Sequence, residues 1–159
     1  FTTTALFDFI YVTPDAEFSV PFIKSAQSPE GGSTLLFAEQ FGLRKANEIL
    51  LLDRPVSAQD AVESGFANGM ITNLNDDYFP DLSKIPALPK LAASDYRTLI
   101  NCKKLLNQAK DNARIEETFF REGKALVDAW LDEDFPPKLM RYMQALKQAK
   151  GKGDGKPKL

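Results

Sequence analysis

The sequence predicts an α/β chain, with short strands confined to residues 1–72 and helices alone after residue 92. Three observations carry this. Runs rich in aromatic and β-branched residues stand at Phe9 to Thr13 and Glu17 to Phe22, helix-period segments bounded by caps and glycines fill Ser33 to Gly65, and apolar stripes at three- and four-residue spacing run through the last third.

Phe1 to Phe7 is short, apolar and Thr-rich, and reads as a helix leading into the first strand, which Pro14-Asp15 ends in a turn. Glu17 to Phe22 alternates closely enough for a second strand, followed by a loop from Ser25 to Gly32. A helix then runs from Ser33 to Phe41, with Ser33 or Thr34 as cap and Gly42 as stop. Arg44 to Leu52 is the next helix. Ser57-Ala58-Gln59-Asp60 reads as a capping box that opens a third, closed by Gly65, and Met70-Ile71 is a short strand. Asn73 to Pro89 is polar and proline-rich, the best boundary in the chain.

Ala92 to Ala109 reads as a helix with Leu99, Cys102, Leu105 and Leu106 on one side. Ile115, Phe119, Leu126 and Trp130, with Phe120, Val127 and Leu131, make a second apolar stripe. At this spacing a stripe is more often ordinary packing than the wall of an acyl-chain or cofactor site. Pro136-Pro137 is expected to break the helix before another from Lys138 to Lys150, and Gly151 onward is a Gly/Lys tail. The organisation expected is residues 1–72, a connector 73–91, a helical region 92–149 for packing and assembly, and a flexible basic tail 150–159.

A chain of 159 residues with 43% apolar and 11% aromatic composition suits one domain with a real core. Its net charge of −2, without a basic stripe interleaved with aromatics, argues against nucleic acid as a partner. The absence of histidine removes Ser/His/Asp and Cys/His catalysis and every histidine metal site, so acid–base work falls to carboxylates. Cys102 stands alone, which excludes an intrachain disulfide and favours a reducing compartment; it is expected as a small core residue. No apolar run approaches the roughly 20 residues needed to span a bilayer, and no secretory leader is visible.

Ser28-Pro29-Glu30-Gly31-Gly32-Ser33 places one carboxylate at the mouth of a helix. Gly31 and Gly32 lack a β-carbon, so the backbone beside Glu30 can turn sharply and let a ligand approach. Glu30 is the candidate catalytic base. Lys103, Lys104 and Lys138 read as solvated helix-surface lysines rather than as part of a site.

This turn, together with Asp8-Phe9-Ile10-Tyr11, Phe18-Ser19-Val20-Pro21-Phe22, the helix from Phe41 to Leu52 and the segment Ser57 to Ala67, resembles the crotonase superfamily of enoyl-CoA hydratases and isomerases. The nearest branch is that of the peroxisomal Δ3,Δ2-enoyl-CoA isomerases, whose base is the Glu of a similar Glu-Gly-Gly turn. The usual hydratases carry two glutamates, at positions that here read Thr2 and Phe22.

The resemblance implies the C-terminal portion of a crotonase-like (ClpP/crotonase) ββα spiral, followed by helices that pack over the core and between subunits of a homo-trimer or hexamer. It implies a 3-enoyl thioester substrate, with coenzyme A as part of that substrate and no separate cofactor or metal. Glu30 would take a proton from C2 and return one to C4. The two backbone N–H donors that stabilise the enolate would come from segments upstream of Phe1, so the chain reads as the later part of something longer. A hydratase-like enzyme of secondary metabolism, and a catalytically incomplete member that keeps the subunit contacts, remain alternatives. The terminal Pro157-Lys158-Leu159 is similar to the Ser-Lys-Leu peroxisomal address, with Pro157 in place of the small residue, and implies an import receptor and a peroxisomal location.

Overall fold

The computed structural model of the protein describes residues 1–72 and 82–151. A 3-10 turn at Thr2–Leu6 leads into β1 (Tyr11–Val12) and β2 (Glu17–Phe18), followed by α1 (Phe22–Ser25), α2 (Ser33–Phe41), α3 (Leu43–Leu51), β3 (Val56–Ser57), α4 (Ala58–Glu63) and β4 (Gly69–Met70). β1 and β4 pair in parallel, Tyr11 opposite Gly69. A parallel pair needs a long crossover, and α2, α3 and α4 lie along that connection. β2 and β3 pair antiparallel, Glu17 opposite Ser57.

The core is where these elements meet. Phe37, Ile49 and Ala61 are wholly buried, from α2, α3 and α4 in turn. Ala46, Ile49 and Leu50 fall on one face of α3 at the spacing that a half-buried helix requires. Around Phe37 the ring of Phe1 lies 5.0 Å from that of Phe18 and 4.7 Å from that of Phe37, with Phe66 edge-on at 5.2 Å. Each such pair adds about 0.5–1.5 kcal/mol beyond the area it buries.

The second strand is shorter than expected, ending at Phe18, and Phe22 opens a helical turn instead. Asp53 explains this: its carboxylate accepts the N–H groups of Ile23 at 3.3 Å and Lys24 at 3.2 Å, so the backbone at Phe22 is drawn into a helix. Ala26, at φ 57°, stops it.

After the first part, a 3-10 turn at Leu82–Lys84 precedes α5 (Ala87–Ala92), α6 (Tyr96–Ala109), α7 (Asn112–Leu131) and α8 (Phe135–Gly151). Residues 73–81 of the expected connector lie outside the described residues. Its later part is helical, with Pro89 in the first turn of α5, where a missing N–H costs nothing. The helix expected from Ala92 is divided at Ser94. Asp95 caps α6 by accepting both the N–H and the hydroxyl of Thr98 at 2.8 Å, bonds that hold its carboxyl below the usual range. Pro136 and Pro137 sit inside the first turn of α8, so they open a helix where a break was expected.

The apolar side expected to bury α6 is uncovered. No residue of α6 is buried, and Cys102 is exposed rather than part of a core. On α7, Phe120 is 75% and Leu131 78% exposed. Periodicity identifies an apolar face, and it does not say what covers it. Among the described residues no helix is long and apolar enough to cross a membrane.

Candidate active site at the glycine turn

Glu30 stands where α1 and its following loop hand over to α2. Gly31 and Gly32 both take the left-handed conformation, at φ 71° and 76°, which only glycine adopts without strain. Close packing excludes side chains as well. A β-carbon at Gly31 would fall 2.7 Å from Thr2 Oγ1, and one at Gly32 would fall 3.0 Å from Leu36 and 3.1 Å from Phe119. The turn is therefore gripped between the 3-10 segment on one side and α7 on the other.

The Glu30 side chain is exposed, so its carboxylate is presented to solvent. Its Oε1 accepts a hydrogen bond of 2.8 Å from the hydroxyl of Thr2, which is itself buried. Thr2 occupies the position at which the resemblance places the upstream glutamate of a hydratase. A hydroxyl there orients the Glu30 carboxylate, and it cannot itself act as a base at neutral pH. Phe22, the other such position, is packed into the core.

A second carboxylate, Glu122 of α7, takes part in building the turn, and the sequence reading did not single it out. It is only 6% exposed. Oε2 accepts the N–H of Gly32 at 2.7 Å, and Oε1 accepts the N–H of Thr34 at 2.8 Å and the Thr34 hydroxyl at 2.6 Å. The cap of α2 thus comes from another helix, 88 to 90 residues along the chain, instead of from the expected Ser33 or Thr34. The Ser33 hydroxyl is buried and has no hydrogen-bond partner among the described residues. One signal was present: Glu122 interrupts the apolar stripe between Phe119 and Leu126, and a charge on a packing face asks for a buried partner.

The two carboxylates therefore differ in chemical capacity. Both oxygens of Glu122 are engaged by donors at the start of α2, Gly32 and Thr34. The Ser33 N–H bonds the Glu30 carbonyl at 3.3 Å. Glu30 accepts the Thr2 hydroxyl on Oε1, and its side chain is otherwise presented to solvent. A cleft of about 370 Å³ borders the turn and is lined by Ser28, Thr34, Arg114, Thr118, Arg121 and Glu122 among others.

Of the lysines set aside from the site, Lys103 pairs with Asp8 and Lys138 lies 3.4 Å from Asp134. Among the described residues no three Cys, Asp or Glu side chains gather as metal ligands would. Pro157, Lys158 and Leu159 lie outside the described residues.

Comparison with known proteins bears on the family and the fold. The family model for enoyl-CoA hydratase/isomerase matches residues 2–126. The chain is 39% identical over 67 residues to the Delta(3,5)-Delta(2,4)-dienoyl-CoA isomerase of Pyricularia oryzae, covering 42% of this chain and 24% of that protein. It is 36% identical over 73 residues to the peroxisomal enoyl-CoA delta isomerase 3 of Mus musculus, covering 46% and 22%. The structure of an enoyl-CoA hydratase/isomerase from Pseudoalteromonas atlantica superimposes with a TM-score of 0.76 at 19% identity, over 91% of this chain and 56% of that one. The chain spans about a quarter of the length of these curated relatives and about half of that structure.

Proposed function

Because the chain belongs to the enoyl-CoA hydratase/isomerase family and carries part of its crotonase fold, we propose that it is the base-bearing part of an enoyl-CoA isomerase of fatty-acid β-oxidation. The substrate class is a 3-enoyl thioester of coenzyme A. The C2–H bond breaks as the proton passes to Glu30, the double bond moves from C3–C4 to C2–C3, and the proton is delivered to C4. One carboxylate serves both transfers because no atoms are added to the substrate.

The observation that carries the reading is the Thr2 hydroxyl on Glu30, in the place where water addition would call for a second carboxylate. Direct contact with the donor fixes one oxygen of the base and leaves the other to face the substrate. General-base catalysis of this kind contributes ~10²–10⁴ in rate. The enolate oxygen needs its own donors, each worth ~10²–10³ when removed, and the resemblance draws them from segments outside this chain.

Assembly through α6, α7 and α8 belongs to the same proposal, supported by the exposed Leu105, Leu106, Phe120 and Leu131. A peroxisomal location, read through an import receptor, is supported by the partial identity to the mouse peroxisomal isomerase and by the similarity of Pro157-Lys158-Leu159 to a peroxisomal address. Replacing Glu30 by Gln and following conversion of a 3-enoyl-CoA to its 2-enoyl isomer tests the catalytic part directly.

A further inference from the structure

We infer that Glu122 is the positioning residue of the Glu30 turn: its buried carboxylate, by holding Gly32 and Thr34, sets where the base stands and ties turnover to the seating of α7 on α2. The inference rests on Glu30 being the base.

The local chain has little means of fixing this turn. Two consecutive left-handed glycines adjoin Glu30, and the N-cap residue of α2 is Gly32, with no side-chain cap from its own segment. Glycine is the residue that gains most freedom when released. What fixes the backbone arrives from α7. Three hydrogen bonds of 2.6 to 2.8 Å converge on the Glu122 carboxylate. They are charge-assisted and meet a helix N-terminus, the end that favours an anion. Phe119, one turn earlier on α7, seats against Gly32 from the same side.

The base is thus located from two directions. Thr2 orients its Oε1, and Glu122 holds the peptide units two and four residues further on. Gly32 and Thr34 donate to Glu122 and Thr2 donates to Glu30, so Glu122 acts on the base through the backbone. A displacement of the base by about 1 Å is enough to cost ~10² in rate.

Glu122→Gln tests this, with hydrogen exchange read on the chain itself and turnover read with the family's upstream half supplied. The amide keeps the side-chain volume and one acceptor oxygen, but its NH2 group confronts an N–H donor. Amide hydrogen exchange at Gly32 and Thr34 should accelerate by about tenfold or more, the change expected on losing one such hydrogen bond. The kcat for 3-enoyl-CoA isomerisation should fall ~10–10²-fold while KM changes less than about threefold, since binding is untouched. Thr34→Val removes only the hydroxyl contact and should give the same pattern at a smaller amplitude. If Glu122→Gln fails to fold, as judged by circular dichroism, the Thr34→Val pattern decides. Unchanged exchange at Gly32 and Thr34 would overturn the inference, as would faster exchange with unchanged kcat. Full turnover by Glu30→Gln would instead overturn the assignment of the base, and the exchange rates would still decide whether Glu122 holds the turn.

Discussion

The Thr2 hydroxyl donates to Oε1 of Glu30 at 2.8 Å across a separation of 28 residues, and it does so from a buried position beneath an exposed carboxylate. The donor is therefore part of the scaffold, and the acceptor is the group that meets solvent.

Removing that donor should weaken turnover without disturbing the fold. Thr2→Val keeps the shape and loses the hydroxyl, and a hydrogen bond to a charged group contributes about 1.5–3 kcal/mol when buried. With the acceptor exposed, the contribution falls below that range, to about 1–1.4 kcal/mol, and kcat should fall roughly fivefold to tenfold. Thr2→Ser restores the donor and should recover most of the rate. Steady-state kinetics on both variants checks this; equal rates for Val and Ser would show that the hydroxyl does not serve the base.

Acid should loosen the link between α3 and α4. Lys45 lies 2.5 Å from Asp60, and this bond, helped by the Ser57 hydroxyl, holds the Asp60 carboxyl below its ordinary value. A carboxyl lowered in the folded state stabilises the fold above its unfolded value and loses that contribution as pH falls through the folded one. Asp60→Asn should therefore cost ~1 kcal/mol at most at pH 7, about 2–4 °C in Tm. The difference from wild type should shrink as pH falls below about 4, where the unfolded-state carboxyl begins to protonate, and vanish once the folded-state carboxyl protonates as well. Thermal melts at several pH values measure it, and a difference constant with pH would contradict the ion-pair origin.

The uncovered stripe of α7 should drive self-association. Phe120 and Leu131 leave three-quarters or more of their surface in water, with Val127 and Trp130 about half exposed on the same helix, and exposed apolar area of this kind marks a contact surface. Sedimentation should show concentration-dependent association, abolished by the pair Phe120→Ser and Leu131→Ser with unchanged circular dichroism. A wild-type chain that stays monomeric throughout would refute the assembly proposal.

Local signals were legible wherever the chain supplies its own punctuation. α2 runs from Ser33 to Phe41 between two glycines, and Ser57 caps α4 by accepting the Asp60 N–H at 3.0 Å. The failures share one cause, a partner distant in sequence. Asp53 makes Phe22 a helix start by binding Ile23 N–H from 30 residues away, and Glu122 supplies the α2 cap that Ser33 or Thr34 was expected to give. Neither follows from a window of neighbouring residues. The position of Glu30 beside Gly31 was legible because it is itself a local arrangement; the Thr2 bond to it was not. The stripe on α7 announced an apolar face, and Glu122 within that stripe was its overlooked mark.

The most direct measurement is isomerisation of a 3-enoyl-CoA by the protein joined to the family's upstream half, which brings the enolate donors, with Glu30→Gln in place, followed by the appearance of 2-enoyl-CoA. The amide fits the same turn and can still accept the Thr2 hydroxyl, so folding should be preserved while the C2 proton loses its acceptor. Turnover should fall by ~10²–10⁴, the range for loss of a general base, with circular dichroism unchanged. A variant retaining more than about a tenth of the wild-type rate would contradict Glu30 as the base.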